Sequence, residues 1–166
     1  VLGSRGLGDV YKRQSPDNMA LRHNQTQQYL ETIPLYDYFF TNKSYILDNM
    51  RKLGAKNIFF VNNSYEETFH HPYNLTEQER IELGGDVGFV GSWEQERCDS
   101  ILYLADNGIK VRVFGTKEWQ KYKNYSPNLK IEDHGLKGID YSKSLQAFKI
   151  SLCFLRKINY DLQTSR

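Results

Sequence analysis

Three groups of residues in this chain have the types and spacing to handle a phosphorylated ligand. Gly91-Ser92 stands between an apolar run and a helical pattern. Free backbone N–H groups at such a helix start attract a phosphate, helped by the helix dipole. Arg97, in the first turns of that helix, adds a charge-assisted hydrogen bond. The second group is Arg156-Lys157-Ile158-Asn159-Tyr160-Asp161, followed by Thr164 and Arg166, where two adjacent cations after an apolar run suit a diphosphate. The third is Gly138-Ile139-Asp140-Tyr141, a turn opening a helix that can present backbone groups and a ring to a base. Each has a plainer reading that the local sequence leaves open. These are a strand–turn–helix with a solvated Arg97, a solvated polar loop, and an ordinary N-cap by Asp140.

Other chemistries fare worse. His70 and His71 are adjacent, so on a strand they face opposite ways and make a poor metal pair. His134 reads as an ordinary loop histidine. No Asp-x-Asp pair is present for a metal-bound sugar nucleotide, and Glu94-x-Glu96 sits in a helical pattern where i and i+2 share no face. There is no Gly-x-Ser-x-Gly elbow, P-loop or Cys/His zinc spacing. No metal and no resident cofactor are therefore expected. Trp93 and Trp119 read as packing residues rather than as sugar platforms.

The elements that must position these groups alternate strand and helix. Tyr36–Thr41 reads as a strand, Ile46, Met50 and Leu53 as a helix face closed by Gly54, and Asn57–Val61 as a second strand. Residues 66–85 turn polar and read as a linker, with a short helix starting at Thr76, where Glu79 completes a capping-box spacing. Val87–Val90 begins a second unit. Ser92 and Gln95 repeat the capping-box spacing, and Cys98, Ile101, Leu102 and Ala105 form an inner helix face ended by Gly108. Lys110–Phe114 is the next strand, Thr116–Pro127 a long polar and aromatic loop, and Leu129–Ile131 a short strand. Tyr141, Leu145 and Phe148 mark a helix, and Ile150–Leu155 reads as a core strand. This order predicts an α/β fold of Rossmann-like parallel βαβ units. In such sheets ligands bind outside the carboxyl ends of the strands, where all three groups fall.

Composition narrows the class. The chain has 166 residues, 39% of them hydrophobic, which is too apolar for disorder. No run approaches the ~20 apolar residues of a membrane helix. Two cysteines, Cys98 and Cys153, are too few for a disulfide framework and read as buried thiols of a reducing compartment. The formal charge of +2 hints at an acidic partner. Yet Arg5, Lys12 and Arg13 against Asp9 account for all of it, and they lie in residues 1–14. That stretch has no hydrophobic periodicity, and Asp9-Val10-Tyr11-Lys12-Arg13-Gln14 matches the read-through of a sequencing-library transposon end. Residues 1–14 are therefore expected to be a disordered adaptor artefact outside the fold. The remainder is neutral, which speaks against a nucleic-acid partner.

Five segments, in order, carry a resemblance. They are Ser15-Pro16-Asp17-Asn18-Met19, the run from Tyr36 to Tyr45, Leu53-Gly54-Ala55-Lys56, Phe89-Val90-Gly91-Ser92-Trp93-Glu94-Gln95-Glu96-Arg97, and Phe154 to Arg166. Over residues 15–166 the chain resembles the CgeB-like (spore maturation protein) glycosyltransferases, a branch of the group 1 glycosyltransferases. The resemblance implies a GT-B architecture of two Rossmann-like domains. Residues 15–65 would be the end of an acceptor-side domain, 66–85 a linker, and 86–166 the first half of a donor-binding domain. It implies a cytoplasmic enzyme that moves a sugar from a nucleotide-sugar donor to a glycan or protein acceptor without a bound metal. Gly91, Ser92 and Arg97 would face the diphosphate and Gly138 and Tyr141 the nucleoside, while Arg156, Lys157, Thr164 and Arg166 would line the donor cleft. The family continues past this point with Phe-Glu-Ile-Pro, so its donor-contacting Glu would lie beyond Arg166 and a chain cut there is expected to be inactive. The competing expectations are a non-catalytic nucleotide- or sugar-binding module of the same fold and an unrelated doubly wound protein.

Overall fold

The structure is a computed structural model that describes residues 10–157 together with Tyr160 and Leu162. It divides into two compact units, the first holding the described residues up to 64 and from 155 onward, the second residues 65–154. The class is α/β, and every strand pairing is parallel.

In the first unit the chain runs β1 (Lys12–Ser15), α1 (Gln27–Thr32), β2 (Tyr38–Thr41), α2 (Leu47–Lys52) and β3 (Ile58–Phe60), and the sheet order is β1-β2-β3. Of the expected artefact at residues 1–14, residues 1–9 lie outside the described residues, and the expectation that the stretch stays outside the fold changes at its end. Lys12, Arg13 and Gln14 are ordered in β1, paired with Tyr38, Phe39 and Phe40. Strand pairing runs through backbone groups, so a segment without a hydrophobic pattern can still join a sheet edge. The strand expected from Tyr36 starts at Tyr38, because Ile33–Leu35 forms a tight 3-10 turn with Pro34 in it. The helix face is as expected: Ile46 and Met50 are fully buried with Ile33, Phe39 and Ile58. Gly54 closes that helix at φ +102°, a left-handed conformation open to glycine.

The second unit runs α3 (Glu77–Leu83), β4 (Gly85–Val90), α4 (Gln95–Asp106), β5 (Val111–Phe114), β6 (Leu129–Glu132), α5 (Gly138–Ala147) and β7 (Phe148–Ser151). The sheet order is β6-β5-β4-β7. The chain thus walks outward from β4 and then returns to β4's other side, a doubly wound reversal. Cys98, Ile101 and Ala105 of α4 pack on Val87, Phe89, Val111 and Val113. The alternate residues Val90 and Phe114 face the other way and meet Phe148, Leu136 and Tyr141. Gly88 lets that happen: a Cβ there would lie 2.1 Å from the Phe148 ring.

The expected linker is an integral part of this unit. Thr76 and Glu79 form the full capping box on α3. Glu79 also pairs with Lys143 of α5, and Ser144 Oγ donates to the Leu83 carbonyl at 2.9 Å. Arg112 of β5 donates to the carbonyls of Ile81 and Gly84, both at 2.9 Å, and pairs with Glu132 at 2.7 Å. Burial works to raise Glu132's pKa, but hydrogen bonds from Lys130 and Arg112 outweigh it and hold the carboxyl below its usual range.

Three further expectations change at the end of the unit. Phe148 is not on the α5 face but begins β7, and the strand expected at Ile150–Leu155 spans Phe148–Ser151 instead. It is an edge strand with Ile150 58% exposed, because only β4 pairs with it among the described residues. Cys153 is exposed rather than buried, since it lies past the strand's end, whereas Cys98 is buried as expected.

Candidate functional site

The carboxyl edge of the second sheet gathers the first and third groups. β4 ends at Val90, and Gly91 follows with its N–H donating to the Phe114 carbonyl at 3.1 Å. The Gly91 carbonyl accepts from the indole N–H of Trp119 at 3.0 Å. Trp119 is fully buried, in the packing role expected for it, and its ring sits where a Cβ on Gly115 would be, 2.2 Å away. The Gly91 turn is therefore held from below by a buried indole.

Ser92 does not cap α4. The helix starts at Gln95, its N-cap is Glu94, and no side chain caps it. Ser92 lies too far back along the chain and is used differently. Its carbonyl and Oγ accept from the Arg97 guanidinium at 3.1 and 3.2 Å, and Arg97 also pairs with Glu94 at 3.3 Å. With its side chain 11% exposed and stacked 6.0 Å from the Phe89 ring, Arg97 braces this loop from within. That geometry makes it a positioning residue for Ser92.

Gly138 opens α5 at φ +56°, exposed and with open space around it. Its N-cap is Lys137, without a side-chain bond, and Asp140 lies at the third helical position rather than at the cap. Tyr141 is half-buried against Val90, Phe114 and Phe148. The loop between β6 and α5 holds His134, expected to be an ordinary loop histidine. His134 stacks edge-on to Phe114 at 5.6 Å and pairs with Asp133 at 3.0 Å. The His134 hydrogen bond holds Asp133 below its usual pKa.

The second group falls in the first unit. Arg156 and Lys157 are exposed, and Arg156 lies 3.9 Å from Asp17. Thr164 and Arg166 lie outside the described residues. The structure thus brings Arg97 of α4 onto the Gly91-Ser92 loop and sets Gly138 and Tyr141 on the same sheet edge. It does not join Arg156 and Lys157 to them within one unit.

At the carboxyl ends of the first sheet lies a cavity of about 270 Å³ walled by Gln14, Ser15, Pro16, Asn42, Val61, Asn62, Asn63 and Ser64. The sequence reading named none of these as binding residues, although Asn62-Asn63-Ser64 directly after a strand was the visible signal. Among the described residues no group of three or more His, Cys, Asp or Glu could hold a metal, and no helix is long and apolar enough to cross a membrane. Compared with known proteins, the chain matches no family model, no curated protein and no solved structure.

Proposed function

We propose that this chain belongs to a glycosyltransferase that moves a sugar from a nucleotide-sugar donor to a glycan or protein acceptor in the cytoplasm, without a bound metal. One observation carries the reading. The strand order reverses between β4 and β7, and the Gly91-Ser92 turn into α4 stands at that reversal, where open α/β sheets take their ligands. Backbone N–H groups at the start of α4 suit a diphosphate leaving group, whose growing negative charge needs fixed donors already in place. Gly138 and Tyr141 stand on the same edge for a nucleoside. The role given to Arg97 is to hold the Ser92 carbonyl and hydroxyl.

Calorimetry tests this with uridine, guanosine, cytidine and thymidine diphosphates. One of the four is expected to bind, and Arg97→Ala is expected to weaken that binding by about 1–3 kcal/mol. Heat from none of them, or affinity unchanged in Arg97→Ala, overturns the assignment. Binding without sugar transfer by the complete protein favours a non-catalytic module of the same fold.

A further inference from the structure

We infer that a second cavity, at the amino ends of β4, β5 and β6, binds a phosphate group, free or carried on a small organic ester. Its volume is about 330 Å³, within the ~300–1,000 Å³ of typical small-molecule sites. Asp86 walls it at the start of β4, Lys110 and Arg112 at the start of β5, and Lys130 in β6. The acid among these already has its partner. Lys149 Nζ donates to Asp86 Oδ1 at 2.6 Å, and that bond holds the carboxyl below its usual pKa. Arg112 and Lys130 share Glu132, each at 2.7 Å. Lys110 has no ion pair or side-chain hydrogen bond among the described residues, and its charge reaches Asp86 only through space. The walls and the groups bonded to them thus hold four cations, Lys110, Arg112, Lys130 and Lys149, against two carboxylates, Asp86 and Glu132. Within this set the surplus of positive charge is unanswered.

The three wall cations divide the work. Arg112 pairs in register with Lys130, and Lys110 lies two residues before Arg112, so strand alternation puts all three on one face of the sheet. Arg112 is fixed. Its guanidinium also donates to the carbonyls of Ile81 and Gly84, both at 2.9 Å, and its side chain is only 13% exposed. It supplies mainly field. Lys110 and Lys130 are exposed and supply bonds: the Lys110 ammonium keeps its three donors, and Lys130 keeps two beyond the one given to Glu132. A phosphate dianion takes several charge-assisted hydrogen bonds at once, which two lysine ammoniums provide. A metal cation is repelled by the surplus charge, a base finds no aromatic ring among the walls, and a neutral ligand leaves the charge unanswered. The cavity lies in the second unit, at the strand ends opposite the Gly91-Ser92 turn, so it stands or falls separately from the diphosphate reading.

The test is an amide chemical-shift titration of the full ¹⁵N-labelled chain. Its probes are inorganic phosphate, glycerol 3-phosphate and glucose 6-phosphate, with glycerol and glucose in parallel. The expected result is that the phosphate-bearing probes shift the resonances of Gly84–Asp86, Lys110–Arg112 and Asn128–Lys130, and that glycerol and glucose do not. An ester that binds more tightly than inorganic phosphate identifies a phosphorylated small molecule as the ligand, and equal affinities identify free phosphate. Lys110→Gln should weaken binding about three- to tenfold, whereas Asp86→Asn, which removes the acidic wall and releases Lys149, should tighten it. Should Lys110→Gln fail to fold, Lys130→Gln, also at an exposed position, gives the same reading. The inference is overturned if no phosphate-bearing probe shifts these resonances, if glycerol or glucose shifts them equally, or if Lys110→Gln binds as the parent does. Nucleoside diphosphate binding should be unchanged in Lys110→Gln. Phosphate shifts confined to Gly91–Arg97 would overturn this site and leave the diphosphate reading standing.

Discussion

The two sheets share parallel pairing but differ in how they are covered. In the second unit β4 is buried from Val87 through Val90 without a break, because α4 covers one face while Tyr141 of α5 and Phe148 pack on the other. In the first unit β2 alternates: Phe39 and Thr41 are buried, whereas Tyr38 is exposed and Phe40 half-buried. Tyr38 and Phe40 instead lean on Phe59 of β3, with ring centroids 6.2 and 5.8 Å apart, and Phe59 is 47% exposed. Parallel sheets are ordinarily covered on both faces. The contrast teaches that, among the described residues, cohesion in the second unit comes from two cores and in the first from one, so equal aromatic residues should carry unequal weight.

Substitutions can break or sharpen that contrast. Trp119→Ala removes a fully buried ring and the Gly91 contact together, and should cost about 3–5 kcal/mol in urea unfolding followed by circular dichroism. Phe39→Ala should cost as much in the first unit, because it empties the one core formed there by the described residues. Gly88→Ala drives a methyl into the Phe148 ring, with an expected loss of about 1–3 kcal/mol read from Trp fluorescence, since both tryptophans lie in the second unit. Thr76→Ala removes the α3 cap for about 1 kcal/mol, visible as faster amide exchange in residues 77–83.

The capping box also predicts a pH effect. Hydrogen bonds from Lys143 first, then from Thr76, hold the Glu79 carboxyl down at about 2. A carboxyl depressed in the folded state stabilises above its ordinary pKa of 4.5 and loses that contribution as pH falls toward 2. The α3–α5 contact should therefore weaken across that window in the parent, and Glu79→Gln should flatten the dependence in acid titrations followed by amide exchange. The smallest effect belongs to the open face: Phe59→Ala should cost no more than about 1 kcal/mol. A loss as large as that of Phe39→Ala would mean that this face is covered and would erase the contrast.

For the candidate site, the position of Gly91-Ser92 in the fold was legible, but its side-chain partners were not. Gly91-Ser92 was readable as a strand-to-helix turn because an apolar run stops at glycine. That Ser92 serves Arg97 rather than capping α4 was not readable, since Ser-x-x-Gln spacing is equally compatible with a helix starting three residues later. The Thr76 capping box was readable because both of its bonds are local.

By itself the sequence determined the alternation of strands and helices and their buried stripes, such as Cys98, Ile101 and Ala105 on α4, because these follow from short-range periodicity and local backbone preference. Tertiary structure alone decided the rest. It put β7 at an edge and Cys153 in the open, drew Lys12–Gln14 into a sheet, joined α3 to α5, and assembled the amide-lined cavity from three strand ends. Each of these depends on which strand lies beside which, a choice made by contacts between residues far apart in the chain, where no local pattern reaches.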